Sequence, residues 1–580
     1  MKQSILLYSL AGVRLAASQY TIPSSVESNE VFDGFVSYSI EFSSFPDFAG
    51  NNSHPNTYSD TLLDNLGRIQ GTKPYIRVGG NTQDYALYDA SLPFALNGTI
   101  DPKRSPDYPT TITIGPSYFE SYNAWKDVKF CHGFNLGLGA TISSGWQTLL
   151  DTVPLACKTL SDGKLYVWGY GNEPDLYSTS AQGPVRPPDW NEETYVAQWH
   201  NGTRMIKTLL EKHCPEMATD EAYSFMAPSF AGVGVHLKAP ATWAAGLNDD
   251  KNIKVFSTHN YISGATSPGV TLQDTLMNHA VTKRSVDAHI KEYNAVIAQS
   301  SDSVPPLIFG ECNSLYNQGR PGLSNTFGAA LWGVDFNLYS ASVGFKRVHM
   351  HMGTNYRYQA FQPLTTPLTT IGTKAPYYGS IAVASALGHY YSQFGPATVH
   401  SVPLASQSAN LSLQPESAYA IYTHAGTRLA RLMVLNMRSY NTTVDGAGLV
   451  PVDPPPPRPA TEYVFQLDGV AGQRGRRRVV QVKRLWANGS DAITGITWDG
   501  WSYNYELDGG RPVRLGNVTV GEEVVVGGGG EVRVVVPDAS AVLLELDGIR
   551  EGEEGCGCDG HGKDGKEEGG GERRWFWGLW

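Results

Sequence analysis

Leu165-Tyr-Val-Trp-Gly-Tyr-Gly-Asn-Glu-Pro174 runs apolar and aromatic to Tyr170, loosens at Gly171, and ends on an amide, a carboxylate and a proline. A short run without polar alternation reads as a strand buried on both faces, as strands of parallel sheets are. Pro174 has no N–H for a ladder, so the strand stops and leaves Glu173 at its end. The same pattern recurs outward along the chain at 34–42, 74–80, 135–141, 225–232, 255–261, 306–314 and 347–353. Between these runs lie segments of 3.6-residue periodicity, including 194–210, 272–298 and 325–342. Eight strand-helix units predict an α/β fold, a parallel (β/α)8 barrel over residues 19–394. A doubly wound open sheet is the competing reading. It calls for a glycine-rich phosphate turn after the first strand, whereas Gly79-Gly80 follows the second and lacks that spacing.

Past residue 395 the pattern changes to short strands at 419–424, 430–437, 464–467, 479–485, 513–515, 522–526, 532–536 and 541–546, with no long helical pattern between them. This predicts a C-terminal all-β sandwich over 395–548, which residues of about 19–30 are candidates to join. Pro454–Pro457 reads as a surface loop. Residues 549–580 are rich in Gly and Glu and too poor in apolar residues for a core, so a disordered tail is expected.

The composition excludes several classes. With 580 residues, 41% hydrophobic and 17% charged, the chain has material for a large core and is no coiled coil or disordered scaffold. A net charge of −11 argues against nucleic acid as a partner, and past the N-terminus no window is apolar enough to span a bilayer. Residues 1–18, with Lys2, an apolar stretch over 5–13 and Ala16-Ala17-Ser18, read as a secretory signal, an ordinary N-terminal strand or a mis-assigned start codon being the alternatives. Asn-x-Ser/Thr acceptors at Asn51, Asn97, Asn201, Asn410, Asn441, Asn488 and Asn517 fit an extracellular glycoprotein. In that compartment Cys157 and Cys214 are candidates to pair, while Cys131 and Cys312 read as buried strand residues.

In a (β/α)8 barrel the chemistry sits at the C-terminal ends of the strands. The fourth strand ends in Glu173 and the seventh carries Gly310-Glu311-Cys312-Asn313, so one carboxylate leaves each side of the mouth. Glycosidic cleavage uses such a pair, one protonated to release the departing oxygen and one ionised to meet the cationic sugar. Carboxyls about 5–5.5 Å apart give retention of configuration. The plainer reading of either Glu is a helix cap or a salt bridge. No H-E-x-x-H or paired CxxC spacing points to a metal, and no G-x-S-x-G elbow to a serine esterase; no cofactor is expected.

Asn172-Glu173-Pro174 with Glu311 resembles the large clan of retaining glycosidases on this barrel. The set Arg77-Val-Gly-Gly-Asn81, Gly-Asn-Glu-Pro-Asp175, His259-Asn-Tyr261, Gly-Glu-Cys-Asn-Ser314, Asn355-Tyr356 and Glu-x4-Tyr at Glu311–Tyr316 resembles glycoside hydrolase family 79, which contains β-glucuronidases and heparanase. The resemblance covers roughly residues 25–548. It implies Glu173 as general acid/base and Glu311 as nucleophile. Asn172 would donate to the sugar 2-hydroxyl, and Glu41 and Asn81 would meet other hydroxyls. Tyr261 either orients Glu311 or merely packs. His259 either lines the pocket or is a core histidine, and Arg77 either supports Glu311 or forms a structural ion pair. For a uronate carboxylate the resemblance implies backbone N–H groups after the nucleophile, at Gly319, with Tyr316 and Tyr356. Heparanase-like members carry two glycines after that first Tyr; Asn317-Gln318 here puts the turn in question. Arg320 is a weaker carboxylate candidate against a solvated loop charge. His349 and His351 share one strand face, both inward or both outward.

The leading expectation is a secreted, monomeric, exo-acting β-glucuronidase that releases terminal, optionally 4-O-methylated glucuronic acid from glycans. Endo-cleavage of a polyanion is the alternative, which an acidic chain disfavours. A neutral-sugar glycosidase and a non-catalytic glycan-binding barrel are the others.

Overall fold

The computed structural model describes residues 12–14, 18–105, 107–180, 183–469 and 477–552. Eight strands close into one parallel barrel: β1 (Val36–Glu41), β2 (Ile76–Gly79), β3 (Phe130–Phe134), β4 (Leu165–Tyr170), β5 (Phe225–Phe230), β6 (Ile253–Gly264), β7 (Leu307–Tyr316) and β8 (Val348–Met352). β8 pairs β1, so no edge is left open. The third strand lies one segment upstream of the expected 135–141. Its interior residue His132 breaks the apolar run of Phe130-Cys-His-Gly-Phe134 and hides it. The Leu-Gly-Leu-Gly stretch that follows is a turn, in which the Asn135 side chain accepts from Leu138 N (2.9 Å) and Gly139 N (3.2 Å).

The outer helices are α1 (Thr57–Gln70), α2 (Ser143–Leu160), α3 (Glu192–His213), α4 (Ala239–Ala244), α5 (His279–Gln299), α6 (Phe327–Val343) and α7 (Ala375–Leu387). The segment expected as one helix over 272–298 is broken: Leu272–Leu276 makes a single wide turn, and Asn278 caps α5 by accepting from Ala280 N. Cys157 on α2 and Cys214 after α3 form a disulfide, and Cys131 and Cys312 are buried free thiols. α6 and α7 are buried nearly all round, because one side faces the barrel and the other a sheet of the second domain.

That domain is a sandwich. β9 (Thr398–Val402), β10 (Glu416–Thr423), β11 (Arg428–Asn436), β16 (Ser540–Gly552) and β13 (Arg477–Trp486) lead a nine-stranded sheet. The facing sheet holds β12 (Ala460–Leu467), β15 (Glu531–Pro537) and the N-terminal strands Val13–Arg14 and Gln19–Ile22; β14 (Glu522–Val526) pairs β13. Side-chain alternation sorts the two cores: Ala418, Ala420 and Tyr422 point into the sandwich, while Tyr419 and Ile421 point at α6 and α7. The tail expected from 549 overlaps β16, which stays paired with β13 to Gly552; residues 553–580 lie outside the described residues. Of the expected signal, residues 1–11 and 15–17 also lie outside them, and Arg14 forms an ion pair with Asp538 (2.7 Å).

Candidate active site

At the end of β4 the chain leaves the barrel through Gly171, at φ +86°. A Cβ there would come within 2.9 Å of Leu136 and of the Tyr177 hydroxyl, so only glycine fits. Glu173 is itself left-handed (φ 49°, ψ 52°), a conformation costing about 1–2 kcal/mol for a residue with a side chain. Its N–H donates to Ser229 O (3.0 Å), and the Trp190 indole donates to Pro174 O (2.8 Å), pinning the turn from two sides. Glu311 on β7 faces the barrel interior. An oxygen of Glu173, an oxygen of Glu311 and a ring nitrogen of His259 lie within 4.8 Å of one another, all three residues buried.

The two carboxyls have unlike surroundings. Burial pushes Glu173 well above the usual carboxylate range, and the charge of Glu311 adds to it. His259 Nδ1 lies 2.9 Å from Glu173 Oε1, and burial lowers that imidazole to about 3, which leaves it neutral. Burial also acts to raise Glu311, but His351, Arg77 and the Tyr261 hydroxyl outweigh it and hold Glu311 below the ordinary range. Arg77 Nη1 donates to Glu311 Oε2 (2.5 Å) and Tyr261 to Oε1 (2.7 Å). His351, raised by Glu311 and Glu41 against its own burial, sits 3.7 Å from Glu311 and 3.4 Å from Glu41. These surroundings favour the protonated form of Glu173 and the ionised form of Glu311.

Asn172 is oriented by Arg77 Nη2, which donates to its Oδ1 (2.6 Å), while its Nδ2 donates to Asn81 Oδ1 (3.2 Å). Glu41 accepts from Thr82 N (3.0 Å), Thr82 Oγ1 (2.6 Å) and Tyr356 (3.2 Å). Tyr108, Tyr356 and Tyr358 cluster with Tyr261 as an aromatic wall. Nothing in the sequence marks Tyr358, which reaches this wall from the turns after β8. Asp84 was also missed, because in Asn81-Thr-Gln-Asp84 it reads as an ordinary first-turn acid. Its carboxylate accepts from Leu136 N (3.0 Å), Gly137 N (3.1 Å), Asn172 N (2.8 Å) and Tyr177 (2.6 Å), joining the loops after β2, β3 and β4. Beside Glu173 a cleft of about 510 Å³ opens, lined by Asn81, Tyr108, Asn172 and the loop after β4.

The chain matches the model of the glycosyl hydrolase family 79 C-terminal beta domain over residues 418–543. It is 64% identical to a beta-glucuronidase of Neurospora crassa, covering 93% of this chain and 99% of that one. It is 50% identical to a beta-glucuronidase of Aspergillus niger, covering 92% and 95%. The chain belongs to glycoside hydrolase family 79. Its fold is shared with a solved 4-O-alpha-L-rhamnosyl-beta-D-glucuronidase of Fusarium oxysporum (TM-score 0.68, 23% identity, 91% of this chain and all of that one). A family 51 alpha-L-arabinofuranosidase of Bifidobacterium longum shares it more loosely (TM-score 0.57, 13% identity, 91% and 99%).

In this family 79 glycoside hydrolase the structure does not bring Tyr316 to the carboxylates. It is 47% exposed at the rim, its hydroxyl 3.5 Å from Ser267. Alternation along β7 explains this: Glu311 and Tyr316 differ by an odd number, so they leave opposite faces. The N–H of Gly319 is already committed to Leu315 O (3.1 Å). Asn317 (φ 63°), Gln318 (φ 61°) and Gly319 (φ 78°) all hold the left-handed turn that glycines favour, and Arg357 braces it by donating to Gly319 O (3.1 Å) and pairing with Asp107 (2.5 and 2.9 Å). Among the described residues, the N–H groups of Asn317 and Gln318 meet no protein acceptor. Arg320 is an exposed loop residue. His349 and His351 both point inward; His349 lies deeper, 2.9 Å from Phe309 O.

Proposed function

We propose that this chain is a secreted, monomeric, retaining exo-β-glucuronidase. The observation that carries the chemistry is the approach within 4.8 Å of two carboxyl oxygens in unlike surroundings, one buried so as to favour its protonated form and one held by Arg77 and Tyr261 so as to favour its ionised form. That approach suits direct attack rather than a water held between them. Glu311 attacks the anomeric carbon while protonated Glu173 gives its proton to the departing oxygen. Glu173, now a carboxylate, then deprotonates the water that opens the glycosyl ester. Asn172 is positioned for the 2-hydroxyl, and Glu41 and Asn81 for neighbouring hydroxyls.

The curated relatives, both beta-glucuronidases, support glucuronic acid as the sugar. The N–H groups of Asn317 and Gln318, with the Tyr358 hydroxyl, are the donors this reading assigns to its carboxylate, in place of Gly319, Tyr316 and Tyr356, whose hydroxyl already donates to Glu41. Exo action is supported by the Arg357–Asp107 pair, which ties the loop after β8 to the insertion after β2 next to the cleft-lining Tyr108. Secretion is supported by the disulfide and by six of the seven acceptor asparagines being exposed, Asn51 being half-buried.

The test compares 4-nitrophenyl β-glucuronide with the β-glucoside, following the first-formed anomer by NMR. Turnover of the glucuronide to β-glucuronic acid is expected. Preference for the glucoside, or an α product, would overturn the reading.

A further inference from the structure

The cleft is lined by Glu173 and not by Glu311, which sets it on the side of the group assigned to deliver the proton. Its far wall is the loop after β4, through Leu176, Tyr177 and Gly183, so it is the space a departing group occupies. Facing that loop is a small sheet inserted after β2 (Ala86–Tyr88, Leu96–Thr99 and Thr111–Ile114). Arg104 stands on the turn joining its last two strands, held by its own N–H to Asp101 O (2.9 Å), and it lines the cleft. Its guanidinium is exposed, comes close to Gly183, and forms no ion pair among the described residues.

The nearby acids are engaged elsewhere. Asp107 is paired with Arg357, Asp84 accepts four hydrogen bonds, Asp101 accepts from Lys103 N, and Glu173 is held protonated. The cleft of a chain with net charge −11 thus presents a cation to the leaving group with no carboxylate of its own to meet it. We propose that Arg104 is a specificity-determining residue that selects glucuronides whose leaving group carries an anionic substituent, a carboxylate or sulfate. A guanidinium binds such groups by paired, charge-assisted hydrogen bonds.

This rests on the glucuronidase reading, and the experiment separates the two. Two probes differing only in leaving-group charge, 4-carboxyphenyl β-glucuronide and its methyl ester, are compared at low ionic strength in the wild type, Arg104→Gln and Arg104→Glu. The acid-to-ester ratio of kcat/KM is expected to fall about tenfold in Arg104→Gln, the size of one charged hydrogen bond, and further in Arg104→Glu. A ratio that stays constant across the three proteins overturns the proposal. So does an equal loss on both probes, which would place Arg104 on the glucuronate carboxylate instead. If only the corresponding glucosides are hydrolysed, the glucuronidase reading fails, and the same ratio measured on acid and ester glucosides still decides Arg104.

Discussion

Arg77 bridges the two catalytic strands: its Nη1 lies 2.5 Å from Glu311 Oε2, and its other terminal nitrogen lies 2.6 Å from Asn172 Oδ1. Both ends of the contact are buried, so water does not replace a lost partner. Arg77→Lys keeps the charge, but one ammonium cannot hold the planar fork. Its kcat/KM is expected to drop by about two orders of magnitude, the ~3 kcal/mol of a charged hydrogen bond. Arg77→Met strands Glu311 and is expected to cost about 3–5 kcal/mol in urea unfolding. A fully active Lys variant would remove the bridge from the mechanism.

The unlike carboxyls set the pH profile. The proposed mechanism requires ionised Glu311 and protonated Glu173. The rate therefore falls in acid as Glu311 takes a proton, and in alkali as Glu173 loses one. Tyr261→Phe deletes a hydrogen bond to the ionised form of Glu311. The acid limb of kcat/KM is expected to move to higher pH while the alkaline limb stays. Movement of the alkaline limb alone would exchange the two roles.

Glu311→Gln is expected to abolish turnover. Glu173→Gln is expected to lose about 10²–10⁴-fold on a poor leaving group and less on 4-nitrophenol, which departs with little help. Equal losses on both substrates would argue against Glu173 as the acid.

Glu173→Gln also has a stability consequence. The folded pKa of Glu173 is raised, so between its unfolded and folded values the native state binds more proton than the unfolded chain, and stability falls as pH rises. Glutamine does not titrate. The variant is expected to be more stable than the wild type near pH 7, with the gain shrinking toward pH 4; thermal melts at the two pH values check it.

Asp84 holds the loop that presents Glu173 without touching the reacting bond. Asp84→Asn cannot accept from all four donors at once. We expect kcat to fall at least about tenfold, a loss of ~1.4 kcal/mol of transition-state stabilisation, with KM little changed and the alkaline limb displaced. An intact pH profile would reduce Asp84 to a structural role.

Glu173, His259 and Glu311 are close enough to bind a small cation, yet the two-carboxylate chemistry needs none. Dialysis against EDTA is expected to leave kcat unchanged; a loss restored by one metal would assign that cluster to it.

The barrel was legible because its signals are local. Strand runs and helical periodicity each lie within a few residues, and Glu173 is flagged by the strand end it follows, whereas Glu311 lies inside β7, which runs on to Tyr316. Where a polar residue was needed inside the barrel, as with His132, the local pattern misled and displaced the third strand. Tyr316 looked like a site residue from its spacing after Glu311, but strand alternation turned it to the rim.

The amino-acid sequence by itself determined the layered architecture, the two glutamates and the polar residues beside them, all of which follow from backbone periods of 2 and about 3.6 residues. Only the tertiary structure decided what those groups are. Whether Glu173 is an acid, whether Asp84 matters, and whether Arg104 faces a substrate depend on contacts between residues far apart in the chain. Arg77 and Glu311 are 234 residues apart, and Asp84 and Asn172 are 88 apart. Protonation state is set by burial and by charges a few ångströms away, and those neighbours exist only once the barrel has closed.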